Sequence, residues 1–376
     1  MTTDTPLEMD PIPILNLKAQ HKRLRLEILG ALETVYDSMS YIQGPHVREF
    51  ENEFSTLHGV EHAVGCSNGT TALSLALEAA GIGSGDEVIT VSYTFVATAE
   101  AIIQLGATPV FIDIEAGTYN MDPSVVQQAV TPRTKAIVPV HVYGTPCSMG
   151  ALEQIAVKHE LSIIEDCAQA HLAKFEGKAV GSFGQAGTFS FYPGKNLGAC
   201  GDAGMVVSQD NETIEQVKKL LDHGRDSKYL HDIVGYNCRM DDLQAAILSV
   251  KLRYLHEWTA CRRENAAIYD SILKPAGFKV IEPPENADPA YHLYVIQVSN
   301  REEIAKVLTE HKIGYGIHYP MPLHIQPSMK HLGYRLGSLP ITEHVAGRVI
   351  SIPMCAELTC EQIERVCEII IKYGKP

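Results

Sequence analysis

The 376-residue sequence predicts an α/β fold in which helices enclose a mostly parallel sheet. From residue 63 onward, short runs of β-branched residues alternate with helical patterns, as they do in doubly wound domains with parallel strands. Hydrophobic residues make up 45% of the chain and charged residues 20%, which is typical of a folded protein with a sizeable core. The chain is too long for one small core, so we expect a large domain with a smaller one attached.

The first predicted element is a helix that follows a polar leader at the N-terminus. Within "LKAQHKRLRLEILGALETVYDS", the residues Leu24, Ile28, Leu29 and Leu32 recur at helical spacing and are expected on one side. We assign residues 1–30 to this leader and helix, outside the main domain.

The predicted large domain, residues 31–255, contains the sheet. Its strand patterns are "AVGCS", "EVITV", "PVFIDI", "KAIVPV" and "LSIIED", and the helical patterns between them are "TALSLALEAAG", "FVATAEAIIQLG" and "MGALEQIAVKHE". The segments "GTFSF" and "AGMVVS" follow without a full helix between them, which predicts a hairpin-like pair joining the same sheet.

The pattern changes toward the C-terminus. Residues 242–270 predict one long amphipathic helix. Beyond about residue 275, the strand-like "YHLYVIQV" and the helical "REEIAKVLTEH" and "CEQIERVCEIII" follow. These segments predict a smaller α+β domain over residues 256–376.

Composition argues against several classes of function. The net charge is -14, and no Lys/Arg cluster is longer than a pair, so we expect no nucleic-acid partner. No apolar run is long enough to span a membrane. The nine cysteines are odd in number and form no CxxC pair, which predicts free thiols in a reducing cytoplasm. None of the 16 histidines lies in HExxH spacing, and we expect no metal site.

Three polar stretches follow predicted strands, and open parallel sheets bind ligands beyond the carboxyl ends of their strands. In "SNGT", Ser67, Asn68, Gly69 and Thr70 precede an apolar helix whose open N–H groups favour a phosphate, with an ordinary helix cap as the alternative. In "IIEDCAQA", Glu165 and Asp166 end a strand, where a helix cap or an arginine pair is the alternative. In "SFYPGKN", Lys195 stands in a glycine-rich setting where a dehydrated amine can attack a carbonyl, although most lysines are merely solvated.

The three stretches together match the demands of one cofactor. A phosphate cradle, a carboxylate that keeps a pyridine nitrogen protonated and an imine-forming lysine are what pyridoxal phosphate requires. The order and spacing of the three stretches favour one shared cofactor site over a chance occurrence of these residues.

Motifs along nearly the whole chain, residues 12–372, resemble the DegT/DnrJ-type sugar aminotransferases. They are "YIQGPHVREFE", "GCSNGTTALSLAL", "GDEVIT", "TFVATAEAI", "GATPVFIDI", "TYNMDP", "TKAIVPVHVYG", "IIEDCAQAHLAKFEGKAVGSFG", "FSFYPGKNLGACGDAGMV", "GYNCRMDDLQAAIL" and "HYPMPLHIQP". The resemblance implies a fold-type I pyridoxal-phosphate enzyme, similar in architecture to aspartate aminotransferase. It implies a mixed, mostly parallel seven-stranded sheet and a smaller α+β C-terminal domain.

The resemblance also implies roles for the residues nearest the cofactor. Lys195 forms the covalent link to pyridoxal phosphate and then carries the proton between substrate and cofactor. Asp166 pairs with the pyridinium nitrogen, and Gln169 lies near the ring hydroxyl. Phe95 stacks on the ring, with a plain core aromatic as the alternative.

Further residues are implied to hold the cofactor phosphate and the substrate. Gly69, Thr70 and Ser190 hold the phosphate, and Asn237 is supplied by a partner subunit, which makes the protein a homodimer with shared active sites. The residues implied to approach the sugar nucleotide, with a structural role at the dimer interface as the alternative, are Arg239, His318 and Tyr319.

The implied reaction transfers an amino group from L-glutamate to the C3 keto group of a dTDP- or UDP-linked sugar, with pyridoxamine phosphate between the half-reactions. The stretches "GIHYPMPLHIQP" and "EDCAQAH" favour C3 over the alternative, a 4-keto-6-deoxy sugar. Dehydratases of this fold carry histidine at the position of Lys195, so the lysine argues against that activity. A non-catalytic regulator is the remaining alternative.

Overall fold

The structure, a computed structural model, describes residues 10–376. The helices are α1 Leu17–Ser38, α2 Pro45–His58, α3 Gly69–Ala79, α4 Ala97–Gln104, α5 Pro123–Ala129, α6 Met149–His159, α7 Asn211–Leu221, α8 Asp242–Leu252, α9 Leu255–Leu273, α10 Arg301–Glu310, α11 Pro340–Arg348 and α12 Cys360–Tyr373. The strands are β1 His62–Cys66, β2 Glu87–Val91, β3 Thr108–Ile112, β4 Thr134–Val138, β5 Ser162–Asp166, β6 Lys174–Phe175, β7 Lys178–Ala179, β8 Ala186–Ser190, β9 Gly204–Ser208, β10 Arg225–Ser227, β11 Leu230–His231, β12 Ala287–Asp288, β13 Tyr294–Gln297 and β14 Val349–Ile352.

A seven-stranded sheet lies at the centre, in the order β1-β9-β8-β5-β4-β2-β3. All neighbouring pairs are parallel except β1–β9 and β9–β8, so the mixed, mostly parallel sheet is confirmed. The expected hairpin-like pair is β8 and β9, in which Phe189 faces Met205. Strand β2 is buried along its whole length, as expected for a sheet covered by helices on both faces.

The first helix has the predicted bounds, but one of its predicted inner residues faces outward. Leu24 and Ile28 are buried, whereas Leu29 is 47% exposed. Four apolar residues in this stretch cover a wider arc than the buried face of α1, so the pattern alone placed Leu29 wrongly. Part of the predicted leader, residues 1–9, lies outside the described residues.

The single helix predicted over residues 242–270 is wrong, because the chain forms two helices there. Helix α8 ends at Leu252 and α9 begins at Leu255. At the junction, the N–H of Tyr254 bonds the carbonyl of Lys251, three residues back, which tightens the turn. Helix α8 and the first turn of α9, with Leu255 and Trp258, pack in the core beside the central sheet, whereas Ala266, Tyr269 and Leu273 of α9 pack with the C-terminal elements. The apolar spacing continues across the junction and therefore hides it.

A second core lies around the two-stranded sheet of β13 and β14. It joins the inner faces of α9, α10 and α12 and receives Ile12 from the N-terminal segment. The division of the chain at residue 255 into a large and a small domain stays a prediction. Among residues 10–376, no helix is long and apolar enough to cross a membrane.

Candidate active site

A cavity of about 950 Å³ opens at the carboxyl ends of the parallel strands. It is lined by all of the predicted site residues except Asn237 and Arg239, namely Gly69, Thr70, Phe95, Asp166, Gln169, Ser190, Lys195, His318 and Tyr319. Strand ends, a helix N-terminus and a C-terminal loop thus bring distant parts of the sequence to one place.

Lys195 is half-buried on the cavity wall, in the loop between β8 and β9. The next residue fixes this loop, because the Asn196 side-chain amide donates to the carbonyl of Ala290 at 2.9 Å and lies 3.2 Å from Nδ1 of His292. Burial lowers the pKa of Lys195 to about 8, against an opposing attraction from Asp166. The lysine therefore has an appreciable fraction of nucleophilic free amine near neutral pH.

The lowered pKa of Lys195 predicts how cofactor capture depends on pH. Only the neutral amine attacks an aldehyde, and its fraction in the folded protein rises as the pH passes through about 8. We expect the rate of covalent pyridoxal phosphate binding by the cofactor-free protein to rise from pH 6.5 and level off near pH 9, measured by stopped-flow absorbance. A rate that keeps rising past pH 9, as for a lysine of ordinary pKa, would contradict the burial argument.

Asp166 ends β5 with its carboxylate buried against the cavity. The Thr98 hydroxyl donates to Oδ2 at 2.8 Å, and the N–H of Ala168 donates to Oδ1 at 3.1 Å. Main-chain bonds to Pro139 and His141 hold the residue from the neighbouring strand. The carboxylate is consequently fixed in one orientation, as a group that pairs with a cationic ring nitrogen must be.

Glu165 faces away from the cavity and acts as a hydrogen-bond acceptor inside the protein. Its oxygens accept three main-chain N–H bonds of 2.8–3.0 Å from the 181–184 turn, and Nε2 of His141 lies 3.1 Å away. Neither of the alternatives considered for this strand end, a helix cap or an arginine pair, applies to Glu165. His141, Glu165 and Cys167 come close enough together for a metal ion, but Glu165 already has these donors.

The N-terminus of α3 has the properties of a phosphate cradle. Asn68 caps the helix by accepting from the N–H of Thr71, so the capping interpretation is correct for these two residues. Within residues 10–376, the N–H groups of Gly69 and Thr70 have no protein partner and lie beside the cavity. A Cβ atom on Gly69 would lie 2.6 Å from Cβ of Ser190, so this close approach requires glycine. The open donors fit a phosphate group.

Substituting Gly69 with alanine is expected to weaken pyridoxal phosphate binding. The added methyl group overlaps Ser190, and relieving such overpacking moves the cradle at a cost that corresponds to about tenfold or more in affinity. Absorbance titration of the cofactor-free variant measures the effect. Gly83→Ala is the matched control, because no atom lies within 4 Å of the added methyl group. Equal affinity of Gly69→Ala and the control would show that Gly69 and Ser190 do not form the cradle.

An aromatic and an amide side chain complete the cavity near Asp166. Oε1 of Gln169 accepts the N–H of Tyr143 at 2.6 Å, and Nε2 donates to the hydroxyl of Tyr319 at 3.0 Å. Phe95 is 58% exposed, with its ring 6.2 Å from that of Tyr319. The core-aromatic alternative therefore does not hold for Phe95, whose face is available to a planar ligand.

Asn237 and Arg239 lie outside the cavity of the single chain. Asn237 is exposed and follows the β10–β11 hairpin, and Nη2 of Arg239 donates to its side-chain oxygen at 2.8 Å. Nη1 of Arg239 pairs with Asp222 at 2.9 Å. A role for either residue in ligand binding stays a prediction, and it depends on a second copy of the chain.

Several residues of the cavity were not singled out in the sequence. Thr98 orients Asp166, Tyr192 and Asp202 flank the lysine loop, and His292 supports Asn196. Thr98, Tyr192 and Asp202 stand within motifs that were recognised, so their side chains were available as a signal. His292 comes from a distant segment, and only the tertiary structure brings it to the lysine.

The fold and this cavity define a class of protein. A lysine of lowered pKa, a fixed carboxylate at a strand end and open N–H groups at a helix start are the groups that a fold-type I pyridoxal-phosphate enzyme requires. The chain belongs to the DegT/DnrJ/EryC1/StrS aminotransferase family, whose model matches residues 22–371. It is therefore an aminotransferase, and the residues present fit the cofactor on which this family depends.

Known relatives match almost the entire chain. A protein of Geobacillus stearothermophilus named a pleiotropic regulatory protein is 44% identical, over 96% of this chain and 98% of its own. The UDP-N-acetyl-3-dehydro-α-D-glucosamine 3-aminotransferase of Acidithiobacillus ferrooxidans is also 44% identical, over 96% and 97%. The crystal structure of DesV from S. venezuelae in complex with a ketimine intermediate is 40% identical, covers 97% and 98%, and superposes with a TM-score of 0.94.

Proposed function

We propose that this protein transfers an amino group from L-glutamate to the C3 keto group of a nucleoside-diphosphate-linked sugar. The proposal is supported by the cavity, whose lining includes both Lys195, with its lowered pKa, and the fixed carboxylate of Asp166. The products are 2-oxoglutarate and an amino sugar, so nitrogen and oxygen exchange places between the two carbonyl carbons.

The protein's residues have distinct tasks in this reaction. When bound, pyridoxal phosphate supplies an aldehyde and an electron-withdrawing ring that make the proton transfers on the substrate carbon feasible. Lys195 is the nucleophile that holds the cofactor, and its amine, once released, moves the proton. Asp166 balances the charge on the ring nitrogen, and Gly69, Thr70 and Ser190 hold the phosphate. Partial burial of Lys195 on the cavity wall lowers its pKa and keeps part of the amine neutral.

The choice of C3 and of a nucleotide-linked sugar rests on the similarity of this chain to a named relative. The relative from Acidithiobacillus ferrooxidans is named for a 3-keto sugar linked to UDP, and it shares 44% of its residues over nearly the whole chain. In the cavity, His318 and Tyr319 provide polar side chains that can bond the hydroxyl groups of a sugar. We propose these two residues as contacts of the sugar substrate.

The experiment that tests the proposal follows the two half-reactions separately. The purified protein with pyridoxal phosphate is given L-glutamate, and the loss of its visible absorbance reports the first half-reaction. Excess glutamate is then removed, and UDP- and dTDP-linked 3-keto and 4-keto sugars are added one at a time. Return of the original band with a 3-keto sugar alone supports the proposal. Return with 4-keto sugars alone rejects C3, and no bleaching by glutamate rejects the amino donor.

We propose that the active protein is a homodimer with shared sites. The β10–β11 hairpin exposes apolar side chains, with Tyr229 at 85%, Leu230 at 55% and Val234 at 90% exposure, next to Asn237. Such an apolar surface is typical of an interface between subunits. If Asn237 acts in the partner's site, inactive Asn237→Ala and Lys195→Ala chains mixed at equal amounts regain activity in about a quarter of the sites. No regain would reject sharing.

We also propose a cytoplasmic location. The structure has all nine cysteines as free thiols, and six of them are buried. Free thiols are typical of proteins in a reducing compartment.

A further inference from the structure

The segment 316–322 brings His318 and Tyr319 to the cavity with little support from its own backbone. Gly316 pairs with Ser351, and the N–H of Leu323 bonds the carbonyl of Ser92. In the part of the chain described here, no backbone–backbone hydrogen bond involves residues 317–321. Contacts from other elements therefore determine where the two side chains stand.

Two tyrosines hold this segment at a single atom, the main-chain carbonyl of His318. Tyr93 follows β2 and Tyr143 follows β4, and both side chains are fully buried. Tyr93 donates to the carbonyl at 3.0 Å, Tyr143 also donates to it, and the two hydroxyls lie 2.7 Å apart. Burial raises the pKa of both phenols far above the ordinary value, so both remain protonated donors.

Tyr143 also holds Gln169, which contacts Tyr319, the next residue of the segment. The main-chain N–H of Tyr143 donates to Gln169, and Gln169 donates in turn to the hydroxyl of Tyr319. The contacts thus close a ring, from Tyr143 through Gln169 to Tyr319 and back through the His318 carbonyl to Tyr143. A shift of the carbonyl would break the contact that Tyr319 makes beside the cofactor site.

A second anchor lies just beyond the segment. Ser92 Oγ is 2.7 Å from Nδ1 of His324 and accepts the main-chain N–H of the same residue at 3.0 Å. Nε2 of His324 lies 2.9 Å from Glu343. A serine, a histidine and a glutamate in this order are the constellation of a hydrolase, but Ser92 and His324 are closed off from solvent and from the cavity. Their function here is to fasten the chain after the segment.

We propose that Tyr93 and Tyr143 are positioning residues, which fix the His318 carbonyl and thereby set the affinity for the sugar substrate. The proposal rests on the proposed function, because it assigns His318 and Tyr319 to the sugar half of the cavity. Glutamate is a small substrate whose proton Lys195 would move, so the donor half-reaction depends less on this segment. The two hydroxyls serve one acceptor, and either one alone keeps part of the anchoring.

The test replaces both phenols by phenylalanine, which removes the hydroxyls and keeps the rings in the core. We expect the double variant Tyr93→Phe/Tyr143→Phe to raise KM for the keto sugar about tenfold, the effect of losing hydrogen bonds of ordinary strength. We expect kcat and the glutamate half-reaction to stay near wild-type values, and each single variant to have a much smaller effect. The matched control is Tyr269→Phe, a buried phenol that donates to the carbonyl of Pro353 at 2.9 Å, away from the cavity.

Amide hydrogen exchange of the peptide that spans residues 316–326 provides a readout independent of turnover. The double variant should exchange faster in this peptide than the wild type, while Tyr269→Phe should leave it unchanged. Unaltered exchange in the double variant overturns the inference whether or not a substrate is known. Faster exchange with unchanged KM overturns the assignment to sugar affinity. A wild-type protein that accepts no nucleotide-linked keto sugar rejects the proposed function instead, and the exchange result still decides the anchoring.

Discussion

Substituting Lys195 with alanine is expected to lower turnover by about 10,000-fold or more, because one residue supplies both the nucleophile and the acid–base group. The variant should also lose the covalent link to pyridoxal phosphate, while the open N–H groups beside Gly69 and Thr70 still hold the phosphate. Steady-state kinetics measure the first effect. Borohydride reduction followed by peptide mapping measures the second, with the adduct expected on the peptide that contains Lys195 of the wild type.

Lys251 is a demanding control for this experiment. Its ammonium group is also buried and its pKa is also lowered by burial, but it donates to the carbonyl of Gly198 at 2.6 Å, away from the cavity. An adduct on Lys251 would mean that a lowered pKa alone determines which lysine reacts with the cofactor, and that a position on the cavity wall is not required. Small primary amines added to Lys195→Ala should restore part of the activity, since the space left by the side chain can hold them.

The sequence predicted the central sheet well because its strands are short, apolar and separated by helices with clear periodicity. The pattern of β2 matched the structure at both ends, since Glu87 and Val91 bound a run that is buried throughout. The sequence pattern did not predict the break between α8 and α9, because Arg253 and Tyr254 keep near-helical backbone angles and neither is glycine or proline. Periodicity also does not report which core a helix faces, and α9 passes from one core to the other between Trp258 and Ala266.

The sequence predicted those site residues whose chemical group stands within a recognisable motif. It missed residues that only tertiary contacts bring to the site. Lys195 and Asp166 each follow a recognisable strand, and both line the cavity. Tyr143 was not singled out, because its side chain acts on a carbonyl 175 residues away in the chain. Arg239 was assigned to the substrate from the family resemblance, but in one chain its guanidinium pairs with Asp222.

Substituting Asp166 with asparagine is expected to reduce kcat by about 100- to 1,000-fold, as for the loss of one preorganised charge in an active site. Asparagine fills the same space and can still accept from Thr98, so the fold should be preserved. It cannot balance a positive charge on the ring nitrogen, and the acidity of the substrate carbon falls accordingly. Kinetics with saturating cofactor separate this loss from a loss of binding, because the phosphate cradle is untouched.

Glu165 provides the comparison that makes the Asp166 result specific. The two carboxylates are adjacent, but Glu165 faces the 181–184 turn and His141 instead of the cavity. We expect Glu165→Gln to lower the thermal midpoint by several degrees, since its new amide group turns a donor toward main-chain N–H groups. Its effect on kcat should be far smaller than that of Asp166→Asn. If both variants lose kcat equally, the charge at Asp166 is not the cause, and the strand end acts only as a scaffold.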